Sequence, residues 1–327
     1  MKLSILIPQY KETDEIVKPL LDSIAIQQNV DLGNDVEVII CNDGTDVHLS
    51  DELINGYPFK IHYYLEEHRG VSATRNACLD HSSGEYVMFC DADDMFCNVC
   101  GLYIIMQEIN HGGFDSMVSA FLEESRHPQT KEPLYIAHQM DSTFVHGKVH
   151  RRSYLINNNI RWNDALQIHE DSYFNCLCQR IASPDRVKYC PTPFYLWKWR
   201  DESVCRHDPL YIQKTYTCML DSNTALVKQF LDRSRKEDAQ FYVTSMIMDA
   251  YYSMNTDKWT NQENQEYRIT TEKRFKEYYH EFKGLFDSID PMVKNQIAMG
   301  IRNRFFQEGL LFETITFEDW IKRIESL

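Results

Sequence analysis

The chain has 327 residues, of which 43% are apolar, 13% aromatic and 25% charged. These are the proportions of a folded globular protein with room for about two domains, and they exclude a disordered or collagen-like chain. With 34 basic and 49 acidic side chains the formal charge is −15, so no general nucleic-acid binding is expected and any basic patch must be local. No stretch reaches the roughly 18 successive apolar residues of a transmembrane span. The start, from Met1 to Thr13, is too short in apolar residues for a signal peptide and reads as a buried first strand. The ten cysteines are scattered, several within apolar runs where a free thiol packs as a small core residue, which fits a reducing, cytoplasmic setting. Cys97-Asn-Val-Cys100 begins like a zinc site, but no second pair follows at zinc-finger spacing, so the cysteines read as structural.

Up to about residue 120, short apolar runs alternate with helical patterns, as in βαβ units around a largely parallel sheet. Leu3–Ile7 is the first strand, and Glu15–Gln27 carries Ile16, Leu20, Leu21 and Ile24 on one helical face. Val36–Cys41 and Ile61–Leu65 are further strands. Val71–His81 is a helix starting after Gly70, and Tyr86–Cys90 is an apolar strand that should be central. From 121 to about 205 the pattern is mixed, with a helix around Ser172–Ile181. Beyond 210 it is helical: Tyr211–Leu231, Glu237–Met254, Thr271–Phe286, Pro291–Glu308 and Phe317–Ser326.

Open α/β sheets bind ligands at the carboxyl ends of their strands. Three such ends read Pro8-Gln9-Tyr10, Asn42-Asp43-Gly44 and Asp91-Ala92-Asp93-Asp94. Carboxylates crowded on a strand end repel one another unless a cation lies between them, and oxygen donors suit Mg²⁺ or Mn²⁺. The plain alternative is that one Asp caps the next helix and the others are solvated. Asn42-Asp43-Gly44 is also a turn signal in its own right.

Five blocks occur in order: Ile5-Leu-Ile-Pro-x-Tyr10; Val38-Ile-Ile-Cys-Asn-Asp43-Gly44; Gly70-Val-Ser-x-x-Arg75-Asn76; Gly84-Glu-Tyr-Val-x-Phe-x-Asp91-Ala-Asp93-Asp94; and His169-Glu170-Asp171. Together they resemble the inverting GT-A glycosyltransferases of family 2. The resemblance covers about the first 205 residues. It implies an α/β GT-A fold, a Rossmann-like mixed, mostly parallel sheet flanked by helices, followed by a mainly α-helical C-terminal region. The domains implied are a catalytic one over 1–210, with nucleotide-sugar and metal binding in 1–120 and the acceptor side in 121–210, and a helical one over 211–327.

The resemblance also implies roles. Pro8 and Tyr10 would wall the nucleotide pocket, Asp43 would meet the nucleobase of a UDP-sugar, and Arg75 would help hold the nucleotide. Asp91 would serve the ribose and metal region, and Glu12, Gly70 and Ala92 belong to the same nucleotide-sugar set. Asp93 would ligate the Mn²⁺ or Mg²⁺ that bridges the phosphates. Asp171 would be the general base for an acceptor hydroxyl, with Glu170 orienting the acceptor; the plain alternative is a helix-capping pair. One base opposite the leaving group means inversion. Phe144–Arg152 resembles an acceptor-side segment and reads equally well as a strand with a solvated basic end. Tyr195–His207 resembles a segment closing over the donor, with Arg206 as phosphate contact and His207 as a further metal ligand.

The Gln-x-x-Arg-Trp pattern of processive synthases is missing, which favours transfer of one sugar at a time. A phosphatase of the haloacid dehalogenase type would use Asp91 and Asp93 differently, and its motif follows the first strand. A catalytically silent sugar-nucleotide scaffold is a third reading. The acceptor is open among saccharide, polyol phosphate polymer, lipid-linked sugar, protein and modified base. The helical tail is expected to pack on the catalytic domain or form a homo-oligomer. The basic, aromatic Arg302–Phe306 segment could touch a membrane surface.

Overall fold

The computed structural model describes residues 1–201, 208, 210–260, 264–312 and 314–327. Two compact units divide the chain, Met1–Ser203 and Val204–Leu327.

In the first unit the strands are β1 (Leu3–Gln9), β2 (Val36–Asn42), β3 (Lys60–Leu65), β4 (Tyr86–Phe89), β5 (Met95–Phe96), β6 (Ser116–Arg126), β7 (Pro133–His138), β8 (Lys148–Arg151) and β9 (Val187–Trp197). Between them lie α1 (Asp14–Ala25), α2 (Leu32–Asp35), α3 (Asp51–Asn55), α4 (Val71–His81), α5 (Gly101–His111), α6 (Arg152–Asn157) and α7 (Glu170–Ile181). One sheet runs in the order β3-β2-β1-β4-β8-β6-β9-β5, with β7 paired to β6. Strands β3, β2, β1 and β4 are mutually parallel, β8 joins β4 antiparallel, and β6 and β9 return to the first direction. Six strands therefore point one way, and β5, β7 and β8 oppose them.

The apolar runs explain the parallel half. Every residue of β2, Val-Glu-Val-Ile-Ile-Cys-Asn, is buried, as a strand covered on both faces requires. Glu37 is tolerated there because its carboxylate accepts from Ser4 Oγ at 2.6 Å and from the Ser83 and Gly84 N–H groups at 2.7 and 3.2 Å. β4 is central, between β1 and β8.

The segment 144–152 corrects one expectation. Only part of its basic run is at the strand's part-exposed end, Arg151 and Arg152: Lys148 and His150 are buried within β8, an internal strand between β4 and β6. The Lys148 ammonium is satisfied by the carbonyls of Phe144 and His146, and burial pulls its pKa down to about 8. Burial and the neighbouring Lys148 push His150 down to about 3. α7 starts at Glu170 rather than Ser172, so the Glu170-Asp171 pair occupies its first turn. α5, β5 and β6 to β9 are elements that periodicity alone does not separate.

The second unit is helical, with long helices at Tyr211–Asp232, Lys236–Met254, Gln265–Asp287, Pro291–Gln307 and Phe317–Glu325. The helix expected from Thr271 begins earlier, at Gln265. Its added turn holds Arg268, whose guanidinium meets buried Glu272 at 3.2 Å. Phe230, Phe275, Tyr278, Trp259 and Trp320 are the largest fully buried side chains of its core. Among the described residues no helix is long and apolar enough to cross a membrane.

Candidate active site

The carboxyl ends of β1, β2 and β4 surround a hollow of about 410 Å³. Pro8, Tyr10, Glu12, Asp43, Gly70, Arg75, Asp91, Ala92 and Asp93 all line it, so nine residues singled out in the sequence meet in one place. Parallel strands end on the same edge of a sheet, which is what lets residues far apart in the chain converge there.

On one side Asp43 organises the loop between β3 and α4. Its carboxylate accepts the backbone N–H of Arg69 at 2.8 Å and of Gly70 at 3.1 Å, and it contacts His68 Nδ1 at 3.0 Å. Tyr10 stacks on the His68 ring at 5.1 Å, so the wall is a pair of rings rather than Tyr10 alone. His68 escaped the sequence reading; the only hint was a polar ring two residues before Gly70. The N–H of Tyr10 is held by Glu12 at 2.8 Å. A carboxylate with about four acceptor sites retains capacity for a ligand donor beyond these contacts.

At the end of β4, Tyr195 of β9 accepts the Asp91 N–H at 3.0 Å and donates its hydroxyl to Asp94 Oδ2 at 2.7 Å. Lys198 N–H adds a second tie to Asp94 at 2.9 Å. Burial, with Asp93 and Asp91 close by, pushes the Asp94 carboxyl well above the usual carboxylate range. Asp94 is thus a post that fixes the acidic turn, while Asp91 and Asp93 face the hollow. Asp93 pairs with Arg200 at 2.7 Å, and Arg200 also approaches Glu12 at 3.8 Å.

This donor set fits a hard divalent cation. Donor atoms of Asp91, Asp94 and His146 lie within 4.8 Å of one another, and Asp93 adds a further carboxylate to the same turn. Oxygen-rich sites of this kind suit Mg²⁺ or Mn²⁺. Asp94 and His146 are enclosed, so an ion entering from the hollow meets Asp91 and Asp93 first. Arg206 and His207 lie outside the described residues.

Across the floor, Arg75 links the end of β4 to α7. Its Nη2 donates to Asp91 at 2.9 Å, and its Nη1 donates to Asp171 at 2.9 Å and Glu170 at 3.2 Å. The guanidinium is buried and lies over the Trp162 ring at 4.4 Å. Asn76, next in sequence, exchanges two hydrogen bonds with the Trp162 backbone, at 2.9 and 3.0 Å. Arg75-Asn76 therefore acts as a unit: one residue sets the platform under the other. Trp162 carried no sequence signal, because its partners come from distant elements.

Asp171 does not line the hollow itself but adjoins it through Arg75. Its other oxygen accepts the Val145 N–H at 2.9 Å. The segment before β8 is pinned by Lys148 and by Asn175 of α7, which donates to Thr143 and Phe144 carbonyls at 3.0 and 2.9 Å. His169, at φ 64°, turns the chain into α7. Burial, aided by Glu170 and Asp91 and opposed by Arg75 and the Val145 N–H, raises Asp171 to about 7. That is the range in which a carboxyl exchanges protons near neutrality.

The model of the family described as glycosyl transferase family 2 matches residues 4–174. This chain belongs to glycosyl transferase family 2. A glycosyltransferase named YwdF from Bacillus subtilis is 30% identical over 217 residues, 62% of this chain and 75% of that protein. Glycosyltransferase GlyA of Streptococcus pneumoniae is 32% identical over 96 residues, 28% of this chain. That matched stretch is only 13% of GlyA. A poly(ribitol-phosphate) beta-glucosyltransferase from Bacillus spizizenii is 32% identical over 99 residues, 29% of this chain and 15% of that protein. Among solved structures, S. aureus TarS 1-349 in complex with UDP-GlcNAc superposes with a TM-score of 0.62 at 16% identity, covering 96% of this chain and 97% of that one. The shared fold is GT-A. Membership of a glycosyl transferase family sets aside the phosphatase reading.

Proposed function

We propose that this family 2 enzyme transfers single sugars from a UDP-sugar to an acceptor hydroxyl, with inversion and with Mn²⁺ or Mg²⁺ bound. The catalytic work is assigned to residues 1–210, and the helical residues 211–327 form a separate domain. The observation that carries the reading is the Arg75 bridge. One buried guanidinium grips Asp91, at the donor side, and Asp171, the carboxyl suited to act as base.

In this reading Asp43 accepts from the nucleobase, between the Tyr10–His68 rings and the loop N–H groups. Asp91 and Asp93 would hold the cation, which would neutralise the charge that grows on the departing diphosphate. Asp93 would release Arg200 to do so; a part-exposed pair of this kind is worth about 1 kcal/mol or less, so opening it costs little. Asp171, as carboxylate, takes the proton of the acceptor hydroxyl on the oxygen lone pairs that Arg75 and Val145 leave open. Glu170 orients the acceptor. Attack from the side opposite the leaving group converts an α-linked donor into a β-linked product. Solved complexes of the similarly folded S. aureus TarS with UDP and UDP-GlcNAc support a uridine nucleotide donor. The poly(ribitol-phosphate) relative supports a polyol phosphate polymer as acceptor class. A cytoplasmic location accords with the nine described cysteines, none of them bridged.

The test is a panel of nucleotide sugars incubated with Mn²⁺ and no acceptor, scored for slow release of nucleoside diphosphate. UDP release that stops with a chelator supports the reading. Release from guanosine donors alone would remove the uridine assignment, and a rate indifferent to chelator would remove the metal.

A further inference from the structure

Val36, Val38 and Ile40 of β2 belong to the main apolar core, so strand alternation turns Cys41 toward the opposite face, under α4. There it meets Glu66, the first residue after β3, and His81, the last residue of α4. One donor atom from each of Cys41, Glu66 and His81 lies within 4.8 Å of the other two. His81 Nε2 and Glu66 Oε1 are already 2.9 Å apart. The imidazole is held face to face on Tyr64, with ring centroids 3.7 Å apart and planes 5° from parallel. A second sulfur, Cys78, lies one turn before His81 and donates to the Ile7 carbonyl at 3.6 Å.

We propose that Cys41, Glu66 and His81 form a zinc site, separate in chemistry from the carboxylate turn at Asp91 to Asp94. Thiolate, imidazole and one carboxylate are the donors zinc prefers, whereas Mg²⁺ takes oxygen alone. Tetrahedral zinc holds such donors about 3.3–3.8 Å apart. The half-exposed Glu66 and His81 side chains close that gap by rotation, with Cys41 fixed beneath. On binding, the Cys41 thiol gives its proton to water as the sulfur–zinc bond forms. The metal replaces the hydrogen bond between Glu66 and His81, and the neutral imidazole binds through Nε2. Two negative ligands against a divalent ion leave the half-buried site neutral, which avoids the cost of an uncompensated charge. Because Glu66 opens the loop whose Arg69 and Gly70 N–H groups bond Asp43, the ion would tie that loop to β2 and α4.

The test uses the purified full chain, titrated with Zn²⁺ against a chromogenic chelator in excess Mg²⁺, and with Co²⁺ as a spectroscopic probe. One equivalent of Zn²⁺ is expected, with a thiolate-to-cobalt charge-transfer band that Zn²⁺ abolishes. His81→Ala, Glu66→Gln and Cys41→Ser should each weaken zinc binding by at least about 10- to 100-fold. Asp93→Ala should leave it intact, which separates this site from the proposed catalytic ion. His81 and Glu66 are at the surface, so their variants should fold and decide the matter even if Cys41→Ser does not. No zinc uptake by the wild-type chain, no cobalt–thiolate band, or His81→Ala binding as tightly as wild type would each overturn the proposal.

Discussion

Arg75 and Asp171, 96 residues apart in sequence, meet at 2.9 Å with the guanidinium buried and stacked on Trp162. The same guanidinium holds Asp91. The acidic end of β4 and the first turn of α7 are thereby spaced by one rigid planar group with two donor edges, which lysine cannot reproduce. Arg75→Lys should keep the charge but lose the fork. Turnover is expected to fall by about 10²-fold or more, since small misplacements of reacting groups cost that much. Thermal melting should show a loss of about 3–5 kcal/mol or less, the upper figure being that for breaking a buried pair outright. Wild-type turnover in Arg75→Lys would remove the positioning role.

Asp171→Asn keeps the shape of the side chain but cannot take a proton. Turnover should drop by about 10²–10⁴-fold with donor affinity little changed. Calorimetry for the donor and single-turnover rates separate the two effects. An unaltered rate would remove Asp171 as the base.

The pH profile has a definite sign. Burial first, then Glu170 and Asp91, raise Asp171 to about 7, and the base works only as carboxylate. Activity should therefore rise with pH through about 7 and level above it. Replacing Glu170 by Gln removes a charge that raises this pKa, so the acid limb should move to lower pH. A limb that stays in place, or moves upward, would show that another group controls it.

Asp93→Ala should abolish the metal dependence of donor binding, measured by calorimetry with and without Mn²⁺. Arg200→Ala, by contrast, removes part-exposed ion pairing to Asp93 and Glu12, so stability should change by about 1 kcal/mol or less. It should also tighten Mn²⁺ binding, because Asp93 no longer exchanges a resident cation for the metal. Weaker Mn²⁺ binding in Arg200→Ala would mean that Arg200 supports the ion rather than competing with it.

Gly44 follows Asp43 with φ +63°, and a Cβ there would stand 2.4 Å from the backbone nitrogen of His68. Gly44→Ala must push the loop that carries Arg69 and Gly70 off Asp43, in a backbone region costly for any residue with a Cβ. The donor Kd should rise, with a loss of about 1–3 kcal/mol in stability. Unchanged donor affinity would show that the loop does not shape the nucleotide pocket.

Much of the donor side was legible because parallel βαβ units write themselves locally. A buried strand is a short apolar run, its end is the first polar cluster, and ends of parallel strands share one edge. Pro8, Asp43 and Asp91 could thus be grouped from order alone. The second half of the sheet was not legible in this way. β8 carries Lys148 and His150 inside the protein, and no periodicity announces a buried lysine whose partners are carbonyls of its own preceding segment.

Sequence alone determined the kinds of groups available: carboxylates at strand ends, a glutamate–aspartate pair, an arginine after a glycine loop. Only the tertiary structure decided their states. That Asp94 is a buried post while Asp93 faces the hollow, and that Arg75 serves three carboxylates at once, depends on Tyr195, Trp162 and Val145. These arrive from strands and loops far along the chain. Burial and charge proximity are properties of the packed arrangement, and they set protonation and reach where residue type sets only capacity.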